Sequence, residues 1–151
     1  MLGELTRDQI EHLLHSEVVG RIGCHAEGRT YVVPVNYAYD GEFLYGHAAE
    51  GMKLRMMRAN REVCFEVDHR AGLSDWQSVI AWGTFEELQG HDATRAMDLL
   101  LDRLLPLLAS EGAPATRDEA REILAPGASI ERLAIYRIRL RERTGRFEKP
   151  A

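Results

Sequence analysis

The sequence is poor in the residues that take a chain out of the ordinary globular class. It has two cysteines in 151 residues, Cys24 and Cys64. That is too few, and too irregular, for a disulfide framework, so both read as reduced, buried thiols. It has no basic surplus: 19 Lys and Arg stand against 24 Asp and Glu, a formal charge of -5. Binding a phosphate backbone requires such a surplus, so nucleic acid is not expected as a partner. No apolar run approaches the ~20 residues of a membrane helix, and the best stretch, 99–108, is interrupted by Asp102, Arg103 and Pro106. The first residues lack a basic region followed by an apolar one, and a cytoplasmic protein is expected. Cys24 with His25, and Cys64 with His69, are ligand types without ligand spacing, so no metal is expected. There is no Gly-x-Ser-x-Gly elbow, no internal repeat and no low-complexity segment.

What remains is a balanced chain, 45% apolar and 28% charged, which reads as one domain over residues 1–151. Thr6 and Gln9 form a capping box, and Leu5 with Ile10 staples the entry to a helix over 7–15. A strand over 18–24 turns at Glu27-Gly28 into a second over 30–39. Its period of two puts Tyr31, Val33, Val35, Tyr37 and Tyr39 on one face. Asp40-Gly41 reads as a type I′ turn into a third strand, 42–46. A small-residue loop then opens a helix ending near Asn60. A fourth strand over 63–67, a loop over 69–75 and a fifth strand over 77–88 follow, with Gly83 as a bulge. Helical periodicity runs over 92–110, with Asp92 as cap and Pro106 as a stop or kink. A second capping box, Thr116 with Glu119, starts a helix that stops at Pro126-Gly127. A sixth strand over 132–142 has one charged face. These elements predict a mainly β fold with helices: a six-stranded antiparallel barrel, a helical insertion over about 91–127, and a returning C-terminal strand.

Chemistry concentrates at a few places. In His47-Ala48-Ala49-Glu50-Gly51-Met52-Lys53, small residues precede a helix whose N-terminus attracts anions. Lys53 in that first turn opposes the macrodipole by a few tenths of a kcal/mol, up to about 1, a cost that a bound phosphate would offset. Lys53 as a plain surface residue is an equal alternative, and Glu50 opposes an anion unless it turns away. Pro34 cannot donate to a sheet ladder and marks an edge or irregular point, and Asn36 needs partners, from a ligand or from the backbone. Trp76, Gln77 and Ser78 offer a ring, an amide and a hydroxyl for a flat heteroaromatic, or ordinary packing.

Taken in order, Val19-Gly20-Arg21-Ile22-Gly23, Tyr31 to Tyr37, His47 to Lys53, and Trp76-Gln77-Ser78-Val79-Ile80 with Gly83 resemble the FMN-binding split-barrel family. This is the superfamily of pyridoxamine 5′-phosphate oxidase, and the likeness is greatest to its nitroimidazole-resistance-type and flavin-nucleotide-binding branch. The resemblance implies a split-barrel homodimer with FMN at the subunit interface. It places Val33, Pro34, Val35 and Asn36 along the isoalloxazine and ribityl chain. Tyr45, His47, Ala48, Gly51, Met52 and Lys53 would lie at the phosphate, with Lys53 as its main cation. Trp76, Ser78 and Val79 would lie at the ring.

The family's basic residues on the second strand are replaced here by Tyr31 and Asn36, and its Arg-Leu-x-Pro ending is missing. A pyridoxamine phosphate substrate is therefore not implied. The expected activity is an FMN-dependent oxidoreductase that reduces a nitroaromatic or quinone-like electrophile through flavin N5, with reduced nicotinamide as donor. His47 and Tyr37 are the candidate acids. The rival expectations are a non-catalytic flavin carrier or sensor, a split barrel loaded with deazaflavin or haem, and a dimeric interaction protein with an empty groove.

Overall fold

The computed structural model describes residues 1–112, 116–124 and 133–151. Eight antiparallel strands and four helices follow one another as β1 (Leu2–Glu4), α1 (Arg7–Ser16), β2 (Val19–Ala26), β3 (Arg29–Asn36), β4 (Ala38–Tyr39), β5 (Phe43–Ala48), α2 (Met52–Ala59), β6 (Glu62–Gly72), β7 (Asp75–Leu88), α3 (Gly90–Ser110), α4 (Arg117–Leu124) and β8 (Ala134–Glu148). The sheet order is β3-β2-β6-β7-β8-β5-β4, with β1 also on β8. This is the expected mainly antiparallel half-barrel with helices, with eight strands where six were predicted.

The two extra strands have different causes. β1 is only Leu2–Glu4, held by pairing with Glu148–Arg146 at the far end of the chain, and a segment that short carries no periodicity. The predicted strand over 30–39 divides at Tyr37. There the backbone N–H donates to the Val18 carbonyl at 3.0 Å, and the ring turns into the core, edge-on to Phe65 at 4.9 Å. β3 stays at one edge of the sheet and β4 joins β5 at the other, so Tyr37 is where the chain crosses the open side of the barrel.

The Thr6 capping box forms as predicted, with Gln9 N–H on the Thr6 hydroxyl and Thr6 N–H on the Gln9 side chain. Glu27 and Gly28 take φ of 54° and 77°, as a two-residue hairpin turn requires. The Asp40-Gly41 turn is different from the type I′ expected. Only Gly41 has positive φ, at 100°, and Asp40 precedes the turn, its Oδ1 accepting from Glu42 and Phe43 N–H at 2.9 and 2.8 Å. The segment predicted as a loop over 69–75 is largely strand, because β6 runs to Gly72 and pairs with β7 to Asp75.

The bulge predicted at Gly83 lies on the opposite strand. Trp82 faces Glu142 and Gly83 faces Leu140, so Arg141 is the extra residue. Gly83 is what accommodates it, since a Cβ there would come within 2.4 Å of the Arg139 carbonyl, an impossible approach.

α3 begins at Gly90 with Gln89 as N-cap, leaving Asp92 inside the first turn, and it continues through Pro106 to Ser110. Pro106 and Asp102, whose carbonyl the proline cannot serve, are both exposed, so solvent substitutes for the missing bond. Thr116 caps α4 as predicted, its hydroxyl accepting from Glu119 N–H at 3.2 Å. The predicted stop at Pro126-Gly127 lies outside the described residues.

Two apolar clusters result. One fills the half-barrel beneath α1 and α2, with Leu14, Ile22, Leu54, Met57, Phe65, Val67 and Tyr136 at its centre. The other joins α3 to β5 and β8 through Leu100, Leu101, Met97, Phe43, Tyr45 and Ile135. Alternation along β5 serves both, Leu44 and Ala48 facing the first cluster and Phe43 and Tyr45 the second.

Candidate functional site

α2 opens on Gly51, whose backbone is extended and which gives no side-chain cap. Its first turn contains no acidic residue. The leading N–H groups of the helix are therefore not satisfied by the chain's own side chains. Leu54, Met56 and Met57 are buried and anchor the helix, which leaves Lys53 half-buried with its Nζ 6.0 Å from the Tyr136 ring centroid.

Lys53, Cys24 and Tyr136 lie on the side of the sheet that faces the first cluster, whereas His47 follows Phe43 and Tyr45 on the other face of β5. Burial pushes the Lys53 ammonium below the ordinary lysine range, and only the nearby Cys24 opposes that shift. Burial raises the Cys24 thiol, and Lys53 partly counters it. Burial, then the Lys53 charge, lowers His47, so its imidazole is neutral at pH 7. Tyr136 is pushed well up by burial, then by Cys24, and its hydroxyl has no hydrogen-bond partner among the described residues. Tyr136 lies opposite Gly46, where a Cβ would stand 2.5 Å from the hydroxyl, so the glycine makes the room this ring occupies.

Glu50, the residue that argued against an anion, is turned away to Arg58 at 2.9 Å, and Arg58 also binds Glu87 at 2.7 Å. Lys53 has no carboxylate among the causes of its shift and forms no ion pair among the described residues. A half-buried cation, uncapped helix amides and an orphaned buried hydroxyl together make a donor set suited to an anion with several acceptor oxygens, such as a phosphate monoester.

The other predicted residues are distributed differently. Val33 is half-buried against the first cluster, and Val35, Ala48 and Val79 are inside it, where only their backbone could meet a ligand. Pro34 and Asn36 are exposed on the outward face of β3. That strand lies at the sheet edge, the place a proline requires, and Asn36 is a surface residue, not an interior one. Ser78 lies on the same outward face, opposite Asp68. Trp76 donates from Nε1 to Glu148 at 3.0 Å and lies under Arg70, 5.8 Å from its guanidinium. Tyr45 is in the second cluster, its hydroxyl on Asp40 Oδ2 at 2.7 Å, and does not join Lys53. The Tyr37 hydroxyl is committed to the Leu14 carbonyl at 2.8 Å inside the core, which removes it as a candidate acid.

Lys53 lies against the Tyr136 ring, next to the Gly51 and Met52 that open α2, with Cys24 and Gly46 on the same side of the sheet; Cys24, Gly46 and Tyr136 were not predicted, and His47 takes the opposite face of β5. The signal for Tyr136 was present: one phenol within the apolar face Ala134, Tyr136, Ile138, Leu140 needs a partner for its hydroxyl. A cavity of about 680 Å³ lies elsewhere, between α2 and the start of α3. The Arg58 ion pairs with Glu50 and Glu87 form part of its wall, together with Arg121, whose Nε is buried with no partner among the described residues. No three His, Cys, Asp or Glu converge as metal ligands among the described residues, and no helix there is long and apolar enough to cross a membrane.

Comparison with known proteins assigns the fold and the family. Residues 6–147 match the family model described as pyridoxamine 5′-phosphate oxidase. A relative described only as an uncharacterized protein of Rhizobium meliloti (strain 1021) is 30% identical over 101 residues, covering 64% of this chain and 67% of that protein. The crystal structure of an FAD-binding protein from Mesorhizobium loti superposes with a TM-score of 0.76 at 28% identity, covering 99% of both chains. A proposed 5-nitroimidazole antibiotic resistance protein from Bacteroides thetaiotaomicron shares the fold with a TM-score of 0.71 at 18% identity, over 97% of this chain and 87% of that one. The chain belongs to the pyridoxamine 5′-phosphate oxidase-like family of split-barrel flavin-binding proteins.

Proposed function

We propose that the chain is a homodimeric oxidoreductase that holds the FMN unit of a flavin cofactor and passes electrons to a small nitroaromatic or quinone-like electrophile. The observation that carries this reading is the unneutralised Lys53 beside the uncapped N-terminus of α2 and the orphaned Tyr136 hydroxyl. The flavin, when bound, supplies hydride transfer at N5, with reduced nicotinamide as its donor. Lys53 and the first amides of α2 hold the phosphate, and Tyr136 donates its free hydroxyl to the same anion. His47, lowered by burial and then by the Lys53 charge, is the group able to hold or pass a proton at its imidazole nitrogens.

The second subunit is supported by the outward face of the sheet. Val19, Val32 and Ile80 are 46%, 61% and 37% exposed there. Glu66 lies on the same face opposite Ile80, with one oxygen buried without a partner among the described residues and Arg21 4.0 Å from the other. Pro34, Asn36 and Ser78 share this face and are separated from the Lys53 group by the sheet itself, so contact of all of them with one cofactor requires a second copy.

The test is direct. Protein incubated with FMN and desalted should retain the flavin spectrum, and the cofactor released from purified protein by denaturation should have a flavin's mass. It should oxidise reduced nicotinamide in the presence of a nitroaromatic or quinone. Tight binding without turnover would show a carrier, and a deazaflavin or haem in the released fraction would replace the cofactor assignment.

A further inference from the structure

Glu50 is the only carboxylate in the segment from His47 to Lys53, and it stands directly before Gly51, the N-cap of α2. A carboxylate so placed is attracted both by the positive end of the helix and by the lysine in its first turn. It goes instead to Arg58, whose Nη1 donates to Glu50 Oε1 at 2.9 Å. Arg58 belongs to the last turn of α2, and its side chain reaches back along the helix, the direction in which helical Cα–Cβ bonds tilt. Glu87 fixes it there by two bonds, accepting from Nε at 2.7 Å and from Nη2 at 2.9 Å. That bidentate fork sets the plane of the guanidinium. Glu87 is also the register partner of Tyr136, so β7 and β8 carry both this clamp and the ring beside Lys53.

The clamp has little to do with stability. The Glu50 and Arg58 side chains are 66% and 40% exposed, and ion pairs in that setting contribute almost nothing to folding. What the clamp decides is which cation Glu50 serves.

We infer that Arg58 and Glu87 are positioning residues for the anion site: they hold off Glu50, a tethered competitor that would otherwise cap α2, pair with Lys53 and take the donors a phosphate needs. The inference rests on the flavin reading for the identity of the anion. It goes beyond that reading in giving the three-residue ion pair a function.

Titration of the full chain with FMN and riboflavin, followed by flavin fluorescence, tests this with Arg58→Gln, Glu50→Gln and the double variant. Arg58→Gln should weaken FMN about tenfold, while riboflavin affinity and melting temperature stay close to wild type. Adding Glu50→Gln should restore most of that loss, whereas Glu50→Gln alone should change FMN affinity by less than about twofold, the non-additivity expected of coupled residues. An equal gain from Glu50→Gln in both backgrounds is a plain charge effect and overturns the inference. Equal losses of FMN and riboflavin in Arg58→Gln overturn it too, since the damage would then lie in the fold. The Lys53 ammonium titration, followed by NMR in the ligand-free chain, gives an answer that needs no flavin. Its pKa should rise in Arg58→Gln, where Glu50 is free to pair with it, and return in the double variant. No rise, or a rise that persists in the double variant, overturns the clamp. Binding of neither flavin, with Lys53 titrating as expected, removes the flavin reading and leaves the clamp standing.

Discussion

Lys53 keeps a charge where burial disfavours it, and no carboxylate among the described residues repays the lost hydration. Replacing Lys53 with Ala should therefore weaken FMN by about 1–3 kcal/mol, the range for charge-assisted hydrogen bonds, and riboflavin, which lacks the phosphate, much less. Parallel calorimetric titrations would check this, and equal losses would show that Lys53 does not hold the phosphate. The same argument sets a pH dependence. A lysine whose folded pKa is lowered destabilises the ligand-free fold fully below that pKa, and stability recovers as pH rises toward the unfolded value. A bound phosphate raises the Lys53 pKa, so binding takes up a proton. The ratio of FMN to riboflavin affinity should fall between about pH 7, where the phosphate is dianionic, and about pH 10. Lys53→Met should give the opposite pair of effects, a ligand-free protein more stable by about 0.5–1 kcal/mol in thermal unfolding, and weaker FMN binding.

Two glycines do different things for the strands that hold the site. Gly83 makes room for the Arg139 carbonyl at the β8 bulge, and Gly46 for the Tyr136 ring. Gly83→Ala should destabilise by about 1–3 kcal/mol through overpacking, read as a lower urea midpoint with unchanged slope, and leave flavin affinity nearly intact. Gly46→Ala should lower both stability and FMN affinity, because Tyr136 must move away from Lys53. At this scale the sequence was informative wherever a local rule decides: the Thr6 capping box, the Glu27-Gly28 turn and the alternation in β3 are all as expected. It was uninformative where a partner strand decides. The bulge required knowing that Gly83 faces β8, the extension of β6 came from pairing with β7, and Pro106 stays helical because its face of α3 is open to water.

Val19, Val32 and Ile80 are exposed on one outward sheet face, the face the proposed dimer would cover. Sedimentation should give the mass of two chains. Val32→Glu, at a site already 61% exposed, should yield a folded monomer, because the side chain is not part of the chain's own core. That monomer should also bind FMN more weakly, since Pro34, Asn36 and Ser78 would no longer have a facing copy; a variant that remains dimeric would place the interface elsewhere. The arginines of β8 do not compete for this role. Arg137 and Arg139 are paired with Glu86 at 3.1 and 2.9 Å and stand over the Phe43 ring at 4.1 and 4.8 Å.

By itself the sequence determined the class of fold and the order of most of its elements, and it singled out the His47 to Lys53 loop as a candidate anion site, because hairpin turns, helix caps and a lysine in a first helical turn are local in origin. Only the tertiary structure decided which polar groups share that loop's surroundings. Tyr136 arrives from 83 residues beyond Lys53, Cys24 from a strand before it, and Glu50 is taken away by Arg58 and Glu87. Long-range packing gave the Tyr37 hydroxyl to Leu14, and the turn before β5 gave the Tyr45 hydroxyl to Asp40. Spacing tells which face a side chain takes; the sheet order β3-β2-β6-β7-β8-β5-β4 determines what that face meets.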